Sequence, residues 1–223
     1  MNDLLDYLFD GKKNALYPAV EGWIKGSRRF KAFATSYRSK IRAKVKGVRD
    51  DGGMKDLHAE LETAVVLLRE ERFSLEYEKY AASKQRGPDF TVTFKTHTPF
   101  NVEVRRIRTD EDAAGKLLAA ICDKVRQMPP SIINLLWLVV EDPISEDDLT
   151  RAVLTLRQLA EQKTEDFFAR RGFESAASFL KQHQRLSGII LHQSDKNVLW
   201  LNPLARHKVL PDMVKALHRL ETS

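Results

Sequence analysis

A chain of 223 residues with 43% apolar and 30% charged side chains has the length and composition to fold around a sizeable core. Its single cysteine, Cys122, excludes an internal disulfide and a zinc site built from several thiolates. No apolar run approaches a membrane span, and residues 1–6 lack the basic-then-apolar form of a signal peptide, so no membrane partner and a cytoplasmic location are the default expectations.

The formal net charge of +6 is concentrated near the N-terminus. Residues 25–49 hold ten Lys or Arg and no acid, and the balance over residues 1–55 is +7. Phe30, Phe33, Tyr37, Ile41, Val45 and Val48 recur there at helical spacing, which predicts an apolar stripe backed by cations. A surface helix with solvated lysines fits this pattern as well as a footprint for a phosphate backbone does; a membrane-surface helix fits it less well. On the backbone-binding reading the contacts are Arg28, Arg29, Lys31, Arg38, Lys40, Arg42, Lys44 and Lys46.

Residues 50–53 predict a turn, and 54–72 a helix with Leu57, Leu61, Ala64, Val65 and Leu68 on its buried stripe. Glu60 lies beside that stripe, whereas Glu62 sits further toward the polar face. Residues 73–78 alternate as a strand, and 81–87 connect it to the next element. Phe90, Val92 and Phe94 then share one face of a second strand, and Phe100, Val102 and Val104 share the matching face of a third. The turn over 95–99 closes this pair into an antiparallel hairpin. Folding about residues 96–97 puts Asp89 across from Glu103 or Arg105. Two carboxylates on one face of adjacent strands, with a cation two residues on, suit a hard divalent metal.

After the hairpin, Thr109 to Asp112 read as a capping box for a helix reaching about Gln127, with Leu117, Leu118, Ile121 and Val125 inward. Residues 132–140 form the longest apolar run and predict a buried strand. Ser145 caps a further helix that turns Leu149, Val153, Leu156 and Ala160 inward. A shorter helix near 175–184, a hairpin of 186–192 with 198–202 that extends the sheet, and a helix over 210–220 complete the chain.

Pro88-Asp89 on one strand and Glu103-Val104-Arg105 on the next resemble the motif of the PD-(D/E)XK nuclease superfamily, with Arg in place of the motif Lys. The predicted order helix, strand, strand, strand, helix, strand is similar to the common core of that superfamily. The resemblance implies an α/β fold: a restriction-endonuclease-like αβββαβ core with a central mixed sheet flanked by helices. That core covers 54–140, with a basic N-terminal helical segment over 1–53 and an extension of the same domain over 141–223. It implies phosphodiester hydrolysis of nucleic acid, DNA favoured, with Mg²⁺ or Mn²⁺ held by Asp89, Glu103 and the Val104 carbonyl. The catalytic set carried over is Glu60, Asp89, Glu103 and Arg105, with Glu62 in reserve for Glu60. Arg105 supplies charge but no general base, because guanidinium stays protonated. Lys124 on the following helix is a potential replacement for the motif lysine, and Gln127 stands where related nucleases often carry a Gln. Many relatives dimerise to cut two strands, so a homodimer is one option, although no residue pattern here points to it.

Other chemistry finds no support: the six histidines show no metal-ligand spacing, and neither a P-loop nor a dinucleotide fingerprint occurs. The alternative to an active enzyme is a nuclease fold that has lost catalysis and binds nucleic acid or a protein partner. A scaffold with incidental acids is the third reading, and it requires Glu60 to lie far from Asp89.

Overall fold

The structure is a computed structural model that describes residues 2–79, 87–108, 112–142, 144–193 and 196–221. Four helices open the chain: α1 (Asn2–Phe9), α2 (Tyr17–Gly26), α3 (Arg28–Ser36) and α4 (Arg38–Gly47). The stripe from Phe30 to Val48 therefore spans two helices. Ser27 caps α3 by accepting from the Phe30 N–H, and Tyr37 leaves helical geometry at the junction with α4. Phe30, Phe33 and Ile41 are buried, while Tyr37, Val45 and Val48 pack against them half-exposed.

Asp50 caps α5 (Asp51–Leu67) through the Gly53 N–H, so the helix begins three residues before the predicted 54. It also ends five residues before the predicted 72. Tight bonds from the Arg69 N–H to Val66 O and the Glu70 N–H to Leu67 O turn the chain into β1 (Phe73–Tyr77). Then come β2 (Phe90–Phe94), β3 (Thr98–Ile107), α6 (Ala113–Val125) and β4 (Ile133–Val140). Asp112 caps α6, accepting from the Gly115 N–H; Thr109, where the capping box is expected, lies outside the described residues. The remaining elements are α7 (Glu146–Glu161), α8 (Glu165–Ala169), α9 (Ala176–His183), β5 (Gly188–His192), β6 (Asn197–Leu201) and α10 (Pro211–His218), followed by a 3₁₀ turn over Arg219–Glu221. The expected Ser145 cap is a full capping box with Asp148. The short α8 is absent from the sequence expectation.

The six strands form one open mixed sheet in the order β1-β2-β3-β4-β5-β6. β1, β2 and β3 run antiparallel, β3, β4 and β5 parallel, and β6 returns antiparallel to β5. Every residue of β4 is buried, which requires helices on both faces of the sheet. Leu135, Trp137 and Val139 pack on the side of α1–α5 and α10, and Leu136, Leu138 and Val140 on the side of α6–α9. The α/β class and the hairpin extension of the sheet are thus as expected. No described helix is long and apolar enough to cross a membrane.

β1 is an edge strand, and its outward carbonyls need partners other than a neighbouring strand. Side chains from α3 and α4 supply them. Arg29 donates to Phe73 O, the Tyr37 hydroxyl to Leu75 O at 3.4 Å, and Lys40 to Tyr77 O at 2.7 Å and Glu78 O at 2.9 Å. Arg29 also donates to Leu68 O and Glu70 O, 2.5 and 2.7 Å away, past the end of α5. Two cations expected on a nucleic-acid surface are therefore committed to backbone inside the fold. Arg29→Met should lower unfolding stability by about 2–3 kcal/mol, because charged-group hydrogen bonds to three carbonyls are lost together. A urea titration measures it, and Arg29→Lys should recover only part, lacking the planar fork.

Candidate active site

The strand register settles which residue faces Asp89. Tyr77 pairs with Phe90 and Phe90 with Val102, so one step further Glu78, Asp89 and Glu103 come side by side across three strands. Two bonds hold Asp89 there: the Glu78 N–H donates to its carbonyl at 2.8 Å, and the Val104 N–H donates to its Oδ2 at 2.8 Å. Asp89 is thus next to Glu103, not Arg105. Glu60 reaches the same end of the sheet from α5, close enough that its charge and that of Asp89 oppose each other.

Two lysines enter this group of acids. Lys44 of α4 contacts Glu60 at 2.5 Å and Glu78 at 2.8 Å, with its ammonium 5.0 Å above the Tyr77 ring. Lys124 of α6 forms an ion pair with Glu103. The Glu60 and Glu103 side chains are only 12% and 13% exposed, so these contacts are weakly screened. Four carboxylates against two ammonium groups leave an excess of two negative charges.

Burial first, and the crowding of like charges second, appear in the titration of the group. Burial, and then the Asp89 charge, push Glu60 up to about 7, with Lys44 offsetting only part of the rise. Burial raises Asp89 despite the Val104 N–H and the two lysines. Burial and the Asp89 charge raise Glu103 against the pull of Lys124. Burial draws Lys44 down, but Glu60 and Glu78 outweigh it and hold the ammonium above its ordinary value. Burial, then the charge of Glu60 and the approach of its carboxylate to the hydroxyl, also raise Tyr77.

The structure thus gathers Glu60, Asp89 and Glu103, and Val104 touches Asp89 through its N–H. Arg105 is elsewhere: it is exposed and lines a separate cleft with Arg106, Arg108 and Lys116. Of the expected backbone-binding cations, Lys44 belongs to the acid cluster, and Arg42 and Lys46 pair with Asp10. Arg38 lies 5.4 Å from the Tyr7 ring centroid, and Arg28 and Lys31 are exposed. Glu78, Tyr77 and the inward role of Lys44 have no counterpart in the sequence expectation. A signal for both lysines exists nonetheless. Tyr37, Ile41 and Lys44, like Leu117, Ile121 and Lys124, follow i, i+4, i+7, so each lysine continues an apolar stripe. Gln127 lines a small crevice with Pro88, Glu103 and Lys124.

The donor chemistry fits a hard divalent cation: buried carboxylate oxygens, a net negative charge and no soft ligand. In the arrangement seen, no three Asp, Glu, His or Cys side chains among the described residues are gathered closely enough to hold a metal ion. Lys44 and Lys124 already neutralise part of the cluster, so a cation would enter by displacing an ammonium from an acid. No protein-family model, curated protein or solved structure matches this chain.

A carboxyl whose pKa is raised on folding is an unfavourable anion in the native state. Its stabilising contribution is full below the ordinary 4.5 and is lost as pH rises through about 7. Stability should therefore fall between pH 4.5 and 7 on account of Glu60. Glu60→Gln should match the wild type near pH 4.5 and exceed it at pH 8 by at most on the order of 3 kcal/mol. Urea unfolding at the two pH values measures the difference.

Proposed function

We propose that the protein is a divalent-cation-dependent phosphodiesterase acting on nucleic acid, built on a restriction-endonuclease-like core. The element order α5-β1-β2-β3-α6-β4 supports this reading, as does the resemblance of Pro88-Asp89 and Glu103-Val104 to the nuclease motif. The observation that carries it is the convergence of Glu60, Asp89 and Glu103 at one end of the sheet, with a lysine from α6 on Glu103. The same resemblance favours DNA over RNA.

In this reading Asp89 and Glu103 hold Mg²⁺ or Mn²⁺, which when bound acidifies a water and neutralises charge on the phosphate. Lys124 takes the part of the motif lysine: its ammonium stands beside Glu103, where it can hold a phosphoryl oxygen or orient the attacking water. Glu60, raised to about 7, is suited to take up a proton at its carboxylate, which Lys44 fixes in place. Arg105 takes no part in proton transfer.

A second reading has its own support. Glu60, Glu78 and Glu103 each already meet an ammonium, as expected of a nuclease fold that has exchanged catalysis for binding. Cleavage assays separate the two. The enzyme reading expects DNA cleavage with Mg²⁺ or Mn²⁺, and a loss of roughly 10²–10³ in rate for Lys124→Met, the usual cost of removing one donor that stabilises charge in the transition state. Asp89→Asn and Glu103→Gln should abolish it. Intact DNA after incubation with wild-type protein and either ion would leave the binding module standing.

A further inference from the structure

A cleft of about 370 Å³ lies outside the acid cluster, where the C-terminal half of β3 meets α6. Its lining includes Asp56, Arg105, Arg106, Arg108, Lys116 and Asp123. Arg106 forms its rigid wall. The side chain is 4% exposed and is fixed by Asp56, by Glu141 and by the Gly52 carbonyl at 2.7, 2.7 and 3.1 Å. Arg106 and Asp56 therefore neutralise each other, and Arg105 and Arg108 share the lining with Asp123. Arg105 and Arg108 are exposed and form no ion pair among the described residues. Gly52 leaves Arg108 its place: a side chain there would put Cβ 2.6 Å from the guanidinium.

The position of the cleft matters as much as its charge. α6 runs back along β3, with Lys124 at Glu103 and Lys116, Ala119 and Ala120 lining the cleft that Arg105 and Arg108 also line. Glu103 and Arg105 point to the same side of the strand, roughly 7 Å apart. One seam therefore passes from the acid cluster straight into a cationic trough. In the N-terminal helices, where the sequence has its local excess of positive charge, Arg29, Lys40, Arg42, Lys44 and Lys46 are bound to carbonyls or acids.

We infer that the β3–α6 cleft seats the sugar-phosphate backbone of a nucleic acid, with Arg105 and Arg108 contacting phosphates next to the one at the acid cluster. The inference rests on the proposed function for its ligand class and gives Arg105 a substrate-holding role. The test is fluorescence anisotropy of a labelled DNA duplex in EDTA, over a series of salt concentrations. Arg105→Ala/Arg108→Ala should weaken binding at least about tenfold at low salt and make the salt slope shallower by about two, one per phosphate contact. Arg28→Ala/Lys31→Ala, on the opposite helical surface, should shift binding less than about threefold. Both pairs are exposed, and circular dichroism melts verify folding. Equal affinity and slope for wild type and the Arg105/Arg108 variant would overturn the inference, as would a larger loss from the Arg28/Lys31 pair or no binding by wild type. A cleavage assay run alongside keeps the two claims apart. Cleft-dependent binding without metal-dependent cleavage sinks the enzyme and keeps the cleft, and cleavage without cleft dependence does the reverse.

Discussion

Too much negative charge in too little water is the constraint on which this molecule turns. Pairing β1 with β2 and β2 with β3 in their observed registers forces Glu78, Asp89 and Glu103 into one row, and α5 adds Glu60. A buried anion is tolerated only with a partner. The fold answers by sending in an ammonium from each side of the sheet, Lys44 from α4 and Lys124 from α6. Two cations against four acids do not close the balance, and burial, joined at Glu60 and Glu103 by the Asp89 charge, raises the carboxyl pKa values.

The same constraint explains why the N-terminal helices belong to the domain core. Their composition suggests a basic surface arm, yet Lys44 neutralises the acid cluster and Arg29, Tyr37 and Lys40 satisfy the free edge of β1. An uncovered edge strand invites pairing with another chain. Here side-chain donors cover the backbone acceptors, and the aromatic rings of Phe33 and Tyr37 pack on Tyr77 behind them. Positive charge in a sequence is therefore a poor guide to where a polyanion would bind. The decisive fact is which cations remain without an internal acceptor.

The hairpin was legible in the sequence because strands alternate with period two, and one apolar face fixes both strands once a turn is placed. That is why Asp89 and Glu103 were found together, with only the choice between Glu103 and Arg105 left to the register. β4 was legible from its unbroken apolar run. The break at Tyr37 was not, because both helices continue the same stripe and no Gly or Pro marks the junction. The five residues of α8 give too little periodicity to detect. Long flexible side chains were the hardest to place. Lys124 and Arg105 differ little as sequence, but one lies on the buried line of a helix and the other points outward where β3 leaves the core.

The exchange of those two side chains bears directly on the chemistry. A lysine on β3 two residues after Glu103 would be tied to the strand, its ammonium placed by the backbone of the sheet. Lys124 reaches the same carboxylate from a helix whose own position depends on Leu117, Ile121 and Val125 packing against the sheet. Any shift of α6 would therefore move the ammonium relative to Asp89 and Glu103. The β3–α6 seam is also the wall of the cationic cleft, so a ligand lodged there would press on the helix that carries Lys124. The acid cluster and the cleft thus share one helix, which carries Lys124 at one and Ala119, Ala120 and Asp123 at the other.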